Sequence, residues 1–169
     1  MLTKENVIKC KDLPINVPRD AVLSIVDADV TYLTHGLHKF PAKFIPQVPK
    51  WAILKFSNLK EVVLDPFSGS GTTLVEARLH RRNSYGIDVD PLASLVTKVK
   101  TTPLDIQKLK LTSHDLLRKI KQDNSSSYQV PALRNIDHWF KKYVQRDLGI
   151  IKKHILNIED PDIRDFFIV

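Results

Sequence analysis

Asp65-Pro66-Phe67-Ser68-Gly69-Ser70-Gly71-Thr72-Thr73 brings together residue types able to grip a nucleotide-like ligand. A short β-branched apolar run, Val62-Val63-Leu64, ends in a carboxylate and passes through two glycines toward a helix. Without a Cβ, the backbone at such a turn approaches a ligand closely and leaves the first helical N–H groups pointing at it. Asp65 ends the strand, where a carboxylate can face a positively charged ligand group. A second acid, Asp88, closes the short strand Tyr85-Gly86-Ile87-Asp88. Its distance past the glycines is close to the roughly 20 residues at which a ribose-binding carboxylate occurs in dinucleotide folds. Asp90-Pro91 follows as an N-cap carboxylate with proline at the first helical position, which gives Asp90 a structural task and leaves Asp88 without one.

The same residues have plainer uses. Thr73-x-x-Glu76 reads as a capping box, so the hydroxyls after Gly71 could serve only to start a helix. No Gly-Lys-Ser/Thr follows, which excludes a Walker A loop, and the absence of Gly-x-Gly-x-x-Gly disfavours a nicotinamide-dependent oxidoreductase. Strand, Asp-Pro-Phe, paired glycines, helix, second strand and acid together outweigh a purely structural reading.

Asp65 to Thr72 resembles the Asp-Pro-Phe-x-Gly-Ser-Gly-Thr signature of S-adenosylmethionine-dependent DNA methyltransferases that modify exocyclic amino groups, at N4 of cytosine or N6 of adenine. Upstream, Thr34-His35-Gly36-Leu37-His38-Lys39-Phe40-Pro41-Ala42-Lys43-Phe44 is similar to the segment that encloses the methionine end of the cofactor in one branch of the family. The resemblance covers residues 32–104 well. It implies that Asp65, Pro66, Phe67, Gly69, Gly71 and Thr72 line the methionine side and that Asp88 holds the ribose hydroxyls, with Thr34, His38 and Pro41 as further contacts. It also implies DNA as partner, N4 of cytosine favoured over N6 of adenine, and a restriction-modification setting. RNA methylation is the variant reading, since similar glycine signatures serve there.

The departure from the family is as specific as the match. These enzymes need a Ser/Asn/Asp-Pro-Pro-Tyr/Phe loop whose polar groups accept hydrogen bonds from the target amino group while the aromatic ring stacks on the flipped base. All 10 prolines of this chain are isolated, so that loop is not encoded in it. No catalytic residue and no metal ligand is therefore assigned.

The elements that must position these residues follow from periodicity. The fold class expected is α/β, a partial Rossmann-like, doubly wound methyltransferase core with additional helices. One helix is predicted from about Pro46 to Phe56 with Trp51 in the core, then the first strand, a helix over 73–80, a strand over 83–87 and a helix over 91–98. Residues 105–122 place Leu109, Leu116, Leu117 and Ile120 on one side and Lys108, Lys110, Arg118, Lys119 and Lys121 opposite. A solvated basic face is the default reading and a phosphate-contacting face the alternative. His138-Trp139-Phe140 and the spacing Leu148, Ile151, Ile155, Ile158 indicate further helices, with the aromatic pair read as core rather than as a base-stacking platform. Residues 1–30 fit an arm, a strand or a helix. The expected organisation is an N-terminal arm over 1–31, the S-adenosylmethionine-binding portion over 32–104, and a helical extension over 105–169.

Asp160-Pro161 signals a helix start, yet the chain stops on Phe166-Phe167-Ile168-Val169, and only two parallel strands are convincing. The expectation is an N-terminal portion of a longer enzyme, or a subunit completed by a second chain; a non-catalytic remnant is the alternative. The 169 residues carry 43% hydrophobic and 27% charged side chains, which is globular. A net charge of +7 and a pI near 9.5 suit an anionic partner. One cysteine, Cys10, excludes an internal disulfide and a cysteine metal cluster. No apolar run reaches the ~18 residues of a membrane span, and the expected location is the cytoplasm.

Overall fold

A computed structural model describes residues 7–17, 21–125, 128–129, 131 and 133–169. The chain divides into two compact units, Met1–Thr101 and Thr102–Val169. No helix is long and apolar enough to cross a membrane among the described residues.

The first unit holds two parallel strand pairs. Strands β1 (Val7–Cys10) and β2 (Val22–Ile25) pair in the region whose sequence left arm, strand and helix open. Helix α1 (Gln47–Phe56) follows, with Trp51 half-buried and its Nε1–H donating to the Pro14 carbonyl at 2.9 Å. Strand β3 (Val62–Asp65), helix α2 (Thr72–Leu79) and strand β4 (Asn83–Gly86) then form a βαβ unit, with β3 and β4 parallel and Asp65 opposite Gly86. Helix α3 (Pro91–Thr101) completes it.

Helix α2 packs against α1, α3, β3 and β4, so it has almost no solvent face. Leu74, Val75, Glu76 and Ala77 are all buried on it, facing Ile53 of α1 and Ala93, Val96 and Val99 of α3 as the core. Arg82 ties the end of α1 to the start of β4, its guanidinium donating to Ser57 Oγ at 3.0 Å and to the Ser57 carbonyl at 2.5 Å. The predicted capping box is absent. Gly71 in the left-handed conformation is the N-cap of α2 with no side-chain cap bond, and Glu76 is wholly buried on other partners. The left-handed conformation of Gly71 turns the chain into α2 without a side-chain cap.

The second unit is helical: α4 (Ile106–Gln122), α5 (Ile136–Trp139), α6 (Lys142–Leu156) and α7 (Pro161–Ile168). Asp105 and Asp160 cap α4 and α7 by accepting backbone N–H bonds. Leu116, Ile150 and Ile163 form its buried centre. Two residues of the apolar spacings lie outside it. Leu117 and Leu148 are exposed because the faces turned inward run through Leu116 and through Gly149 and Ile150 instead. Trp139 is 73% exposed, so the aromatic pair at α5 is not core either: that helix is a single turn and too short to turn both rings inward.

Ile163 is 1% exposed and Ile168 is 46% exposed on the same helix. Ile163→Ala is expected to lower stability by about 2–5 kcal/mol through loss of buried methyls and the cavity left behind. Ile168→Ala should change it by no more than about 1 kcal/mol. Urea denaturation of both variants checks the pair.

Candidate functional site

The tips of β3 and β4 lie side by side. Beyond the last paired residues, the Ile87 N–H donates to the Asp65 carbonyl at 2.9 Å and the Ser68 N–H to the Ile87 carbonyl at 3.0 Å, which carries the pairing into the turn. Asp65 Oδ1 accepts the Phe67 N–H at 3.1 Å, and the Gly71 N–H closes the turn on the Ser68 carbonyl at 2.8 Å. Gly69 and Gly71 have φ of 49° and 76°, the left-handed region that residues with a Cβ avoid. At Gly71 the demand is also steric, since a Cβ there would stand 2.7 Å from Thr97 Oγ1.

Three side chains fasten the turn. Asp88 Oδ2 accepts the Gly69 N–H at 2.7 Å, while its Oδ1 accepts the Asp90 N–H at 2.9 Å. Thr97 Oγ1 donates to the Gly69 carbonyl at 3.0 Å, and Lys100 Nζ donates to the Ser70 carbonyl at 3.0 Å. Asp88 thus has the structural task that its sequence context did not reveal. The N–H groups of Asp90 and Gly69 hold its carboxyl below the usual range, so it is ionised at neutral pH. Each carboxylate oxygen keeps a second lone pair for a ligand hydroxyl.

Segment Phe40–Phe44 lies across the turn from Asp65, Phe67–Ser70, Thr72 and Thr73, and the two enclose a cavity of about 60 Å³. Of the residues singled out in the sequence, Pro41, Asp65, Phe67, Gly69 and Thr72 line it, and Gly71 is buried beside it. Pro66 is exposed, and Asp88 adjoins the turn through Gly69. Thr34 and His38 do not line the cavity. Thr34 Oγ1 donates to the Lys100 carbonyl at 3.0 Å, and the buried His38 Nδ1 has no hydrogen-bond partner.

Sequence patterning missed a buried polar cluster behind the cavity. Glu76 Oε1 accepts the Tyr32 hydroxyl at 2.5 Å and pairs with His35 Nε2 at 2.7 Å. Burial and the Glu76 carboxylate push the Tyr32 hydroxyl up from its ordinary value. Lys100 is 4% exposed, and burial together with the nearby Lys43 ammonium lowers it to about 8. For Glu76 the available signal was a charge between Leu74-Val75 and Ala77; Lys100, in Thr97-Lys98-Val99-Lys100-Thr101, carried none.

A glycine turn between parallel strands, with an acid just past the second strand fastened to it, defines the class: a βαβ domain with a rigid turn at its strand tips. The sequence pattern of the DNA methylase family matches residues 16–97, and the chain belongs to that family of amino-methyltransferases. It is 35% identical over 155 residues to the type II methyltransferase M.MvaI of Kocuria varians, covering 86% of this chain and 34% of that one. It is 34% identical over 128 residues to the type II methyltransferase M.MjaII of Methanocaldococcus jannaschii, covering 76% of this chain and 24% of that one. The chain thus spans between a quarter and a third of these relatives' length. No solved structure matches it significantly.

Two outcomes test the packing of the turn. Gly71→Ala is expected to destabilise by about 1–3 kcal/mol, from left-handed backbone strain and the collision with Thr97, read as a lowered thermal midpoint. Lys100 titrates near 8 when folded and near 10.5 when unfolded, so the unfolded chain holds the extra proton between those values. Stability contributed by this group therefore rises with pH over that window. The stability difference between wild type and Lys100→Met should grow in favour of wild type from pH 8 to pH 10, and a flat difference would contradict the burial of the ammonium.

Proposed function

We propose that this chain is the S-adenosylmethionine-binding part of a site-specific DNA methyltransferase acting on an exocyclic amino group, N4 of cytosine in preference to N6 of adenine. In this reading the βαβ unit is the start of a Rossmann-like sheet, and the enzyme works in the cytoplasm within a restriction-modification system. The observation that carries the reading is the Gly69 N–H to Asp88 bond, which draws the glycine turn and the second acid into one site.

The residues present fit the cofactor. Ser70 Oγ is buried in the turn with no hydrogen-bond partner, which leaves a donor for a ligand. Asp65 stands at the strand tip where a positive centre is favoured, and Asp88 offers free lone pairs to the ribose hydroxyls. The cavity of about 60 Å³ is smaller than the roughly 300 Å³ or more of a complete cofactor site, so it receives only one end of the molecule. Phe67 in the glycine turn and Val89 next to Asp88, 87% and 100% exposed, offer apolar surface for the remainder. When bound, S-adenosylmethionine supplies the methyl group that the amino nitrogen of a flipped base accepts. The chain's own part is orientation: the turn fixes one end, Asp88 the other, and neither carboxylate exchanges a proton with the base.

Completion by further polypeptide is supported by the state of β3. Its edge away from β4 pairs with no strand among the described residues, and Val62 and Leu64 are 59% and 60% exposed. On β4 and just past it, Tyr85 and Ile87 are 67% and 58% exposed. Parallel strands are ordinarily covered on both faces. An apolar cleft of about 470 Å³ between α1 and β3, lined by Val48, Ile53, Phe56, Val62 and Leu64, continues the uncovered surface. A second chain or downstream segment that adds a strand here and carries the Pro-Pro loop meets both needs.

Calorimetric titration with S-adenosylmethionine is expected to show binding, and Asp88→Ala to weaken it by about 10- to 100-fold, the worth of hydrogen bonds to a charged group. Unchanged affinity removes Asp88 as ribose ligand. Methyl transfer to DNA should appear only when a polypeptide carrying the Pro-Pro loop is added, and analysis of the methylated base distinguishes cytosine from adenine. Transfer by this chain alone would overturn the proposal, and silence of every mixture would leave a non-catalytic remnant.

A further inference from the structure

The corner between α5 and α6 presents aromatic rings to water although its backbone is tied from within the second unit. Gln145, buried on α6, donates through Nε2 to the Phe140 carbonyl at 2.8 Å and to Asp137 Oδ1 at 2.6 Å. Lys142 Nζ donates to the same carboxylate oxygen at 2.6 Å. The turn of α5 is thus joined to the first turn of α6. Trp139 and Tyr143, on either side of that joint, are 73% and 63% exposed, so their exposure belongs to a fixed corner rather than to a loose end. The His138 ring meets Trp139 edge to face with centroids 5.1 Å apart.

The charges interleaved with the rings decide what can cover them. Lys141 and Lys142 lie between Phe140 and Tyr143, and Arg134 and Arg146 flank them in sequence. Among the described residues Asp137 pairs with Lys142, while Arg134, Lys141 and Arg146 have no carboxylate partner. A polypeptide laid over the rings would take these cations out of water with no carboxylate of this unit to meet them, which is costly. The uncovered face of β3 is of another kind: Val62 and Leu64 are exposed there with only Val63 between them. Nucleic acid supplies what the corner lacks, since its phosphates carry the opposite charge and each base has a π-face on which an aromatic ring stacks.

We propose that the α5–α6 corner is a DNA contact in which Trp139 stacks on an unpaired base while Lys141 and its basic neighbours meet the adjoining phosphates. The inference rests on the proposed DNA partner and not on the cofactor. A base must leave its duplex stack to reach an indole face, so the corner favours single-stranded or locally opened DNA over a closed duplex. Adjacent aromatic residues in a sequence read as core; it is their exposure on a tied corner, with unpaired cations between them, that gives them this use.

Fluorescence anisotropy with the whole chain tests it, using a labelled mixed-sequence DNA strand of about 12 nucleotides and the same strand closed in a duplex. Wild type should bind the single strand more tightly. Trp139→Ala should weaken single-strand binding by about tenfold, the worth of one stacked base, and Trp139→Phe should keep most of it. Lys141→Gln should flatten the slope of log affinity against log salt by about 0.7, whereas Lys11→Gln, an equal loss of charge at an exposed residue of the first unit, should leave the slope unchanged. A corner made to seat further polypeptide leaves oligonucleotide affinity indifferent to Trp139, and that result overturns the proposal. So do equal losses toward strand and duplex in Trp139→Ala, or equal slopes in the two lysine variants. Titration of Trp139→Ala with S-adenosylmethionine keeps the two readings apart: unaltered cofactor affinity beside lost strand binding supports the corner, and failure of wild type to bind the cofactor overturns the cofactor reading alone.

Discussion

The bond from the Gly69 N–H to the Asp88 carboxylate is the contact on which the site depends. A glycine turn by itself is the most mobile piece of backbone a chain can have, because glycine loses more conformational freedom on ordering than any other residue. Here its N–H is held by the neighbouring strand, and the carbonyls of Gly69 and Ser70 are held by Thr97 and Lys100 of α3. The turn is therefore rigid before any ligand arrives, which lowers the ordering cost that binding would otherwise carry. The same bonds explain why α3 must pack where it does: moving it would free two carbonyls at once.

The path from strand to turn to helix to strand was legible in the sequence because each of its signals is local. Val62–Leu64, the glycines and Asp90-Pro91 state their roles within a few residues, and α1, β3, α2, β4 and α3 fall close to where that reading puts them, whereas β1 and β2 lie in the stretch it left open. What lies between Tyr32 and Phe44 was legible only through family likeness, since it has no periodicity. Its order comes from partners far along the chain, Glu76 for Tyr32 and His35 and the Lys100 carbonyl for Thr34. Residue spacing carries no trace of such contacts. Glu76 shows the hazard: its spacing from Thr73 satisfies a capping rule, whereas its burial answers to the segment above it.

Burial of charge behind the turn has a physical consequence for specificity. A carboxylate removed from water is costly unless it is paired, and Glu76 Oε1 is paired with a phenol and an imidazole from the same short segment, while His80 Nε2 stands 3.4 Å from Oε2. That arrangement fixes the segment's register against α2 more sharply than apolar packing would, because a slip of one residue strands the charge. The irregular backbone of Phe40–Phe44 is thereby delivered to the cavity at a defined height. Lys100 is the opposite case: its ammonium is bonded to the Ser70 carbonyl, and burial together with the nearby Lys43 ammonium makes it lose its proton early.

The two halves of a methyl-transfer site make unequal demands on the fold, and in the proposed reading this chain meets one of them. Holding the cofactor needs two adjacent strand tips, one glycine turn and a covering segment, all of which arise within residues 32–101 and close on themselves. Presenting a base needs further strands, since the groups that receive it must stand beside the same tips on the open side of β3. In the proposed reading, the apolar side chains left facing water on β3 and β4 answer to that second demand. A surface of this kind is unfavourable for a free-standing domain and favourable for one that is completed by more sheet, because the strand added there would cover the apolar faces and bring its own tip to the edge of the cradle.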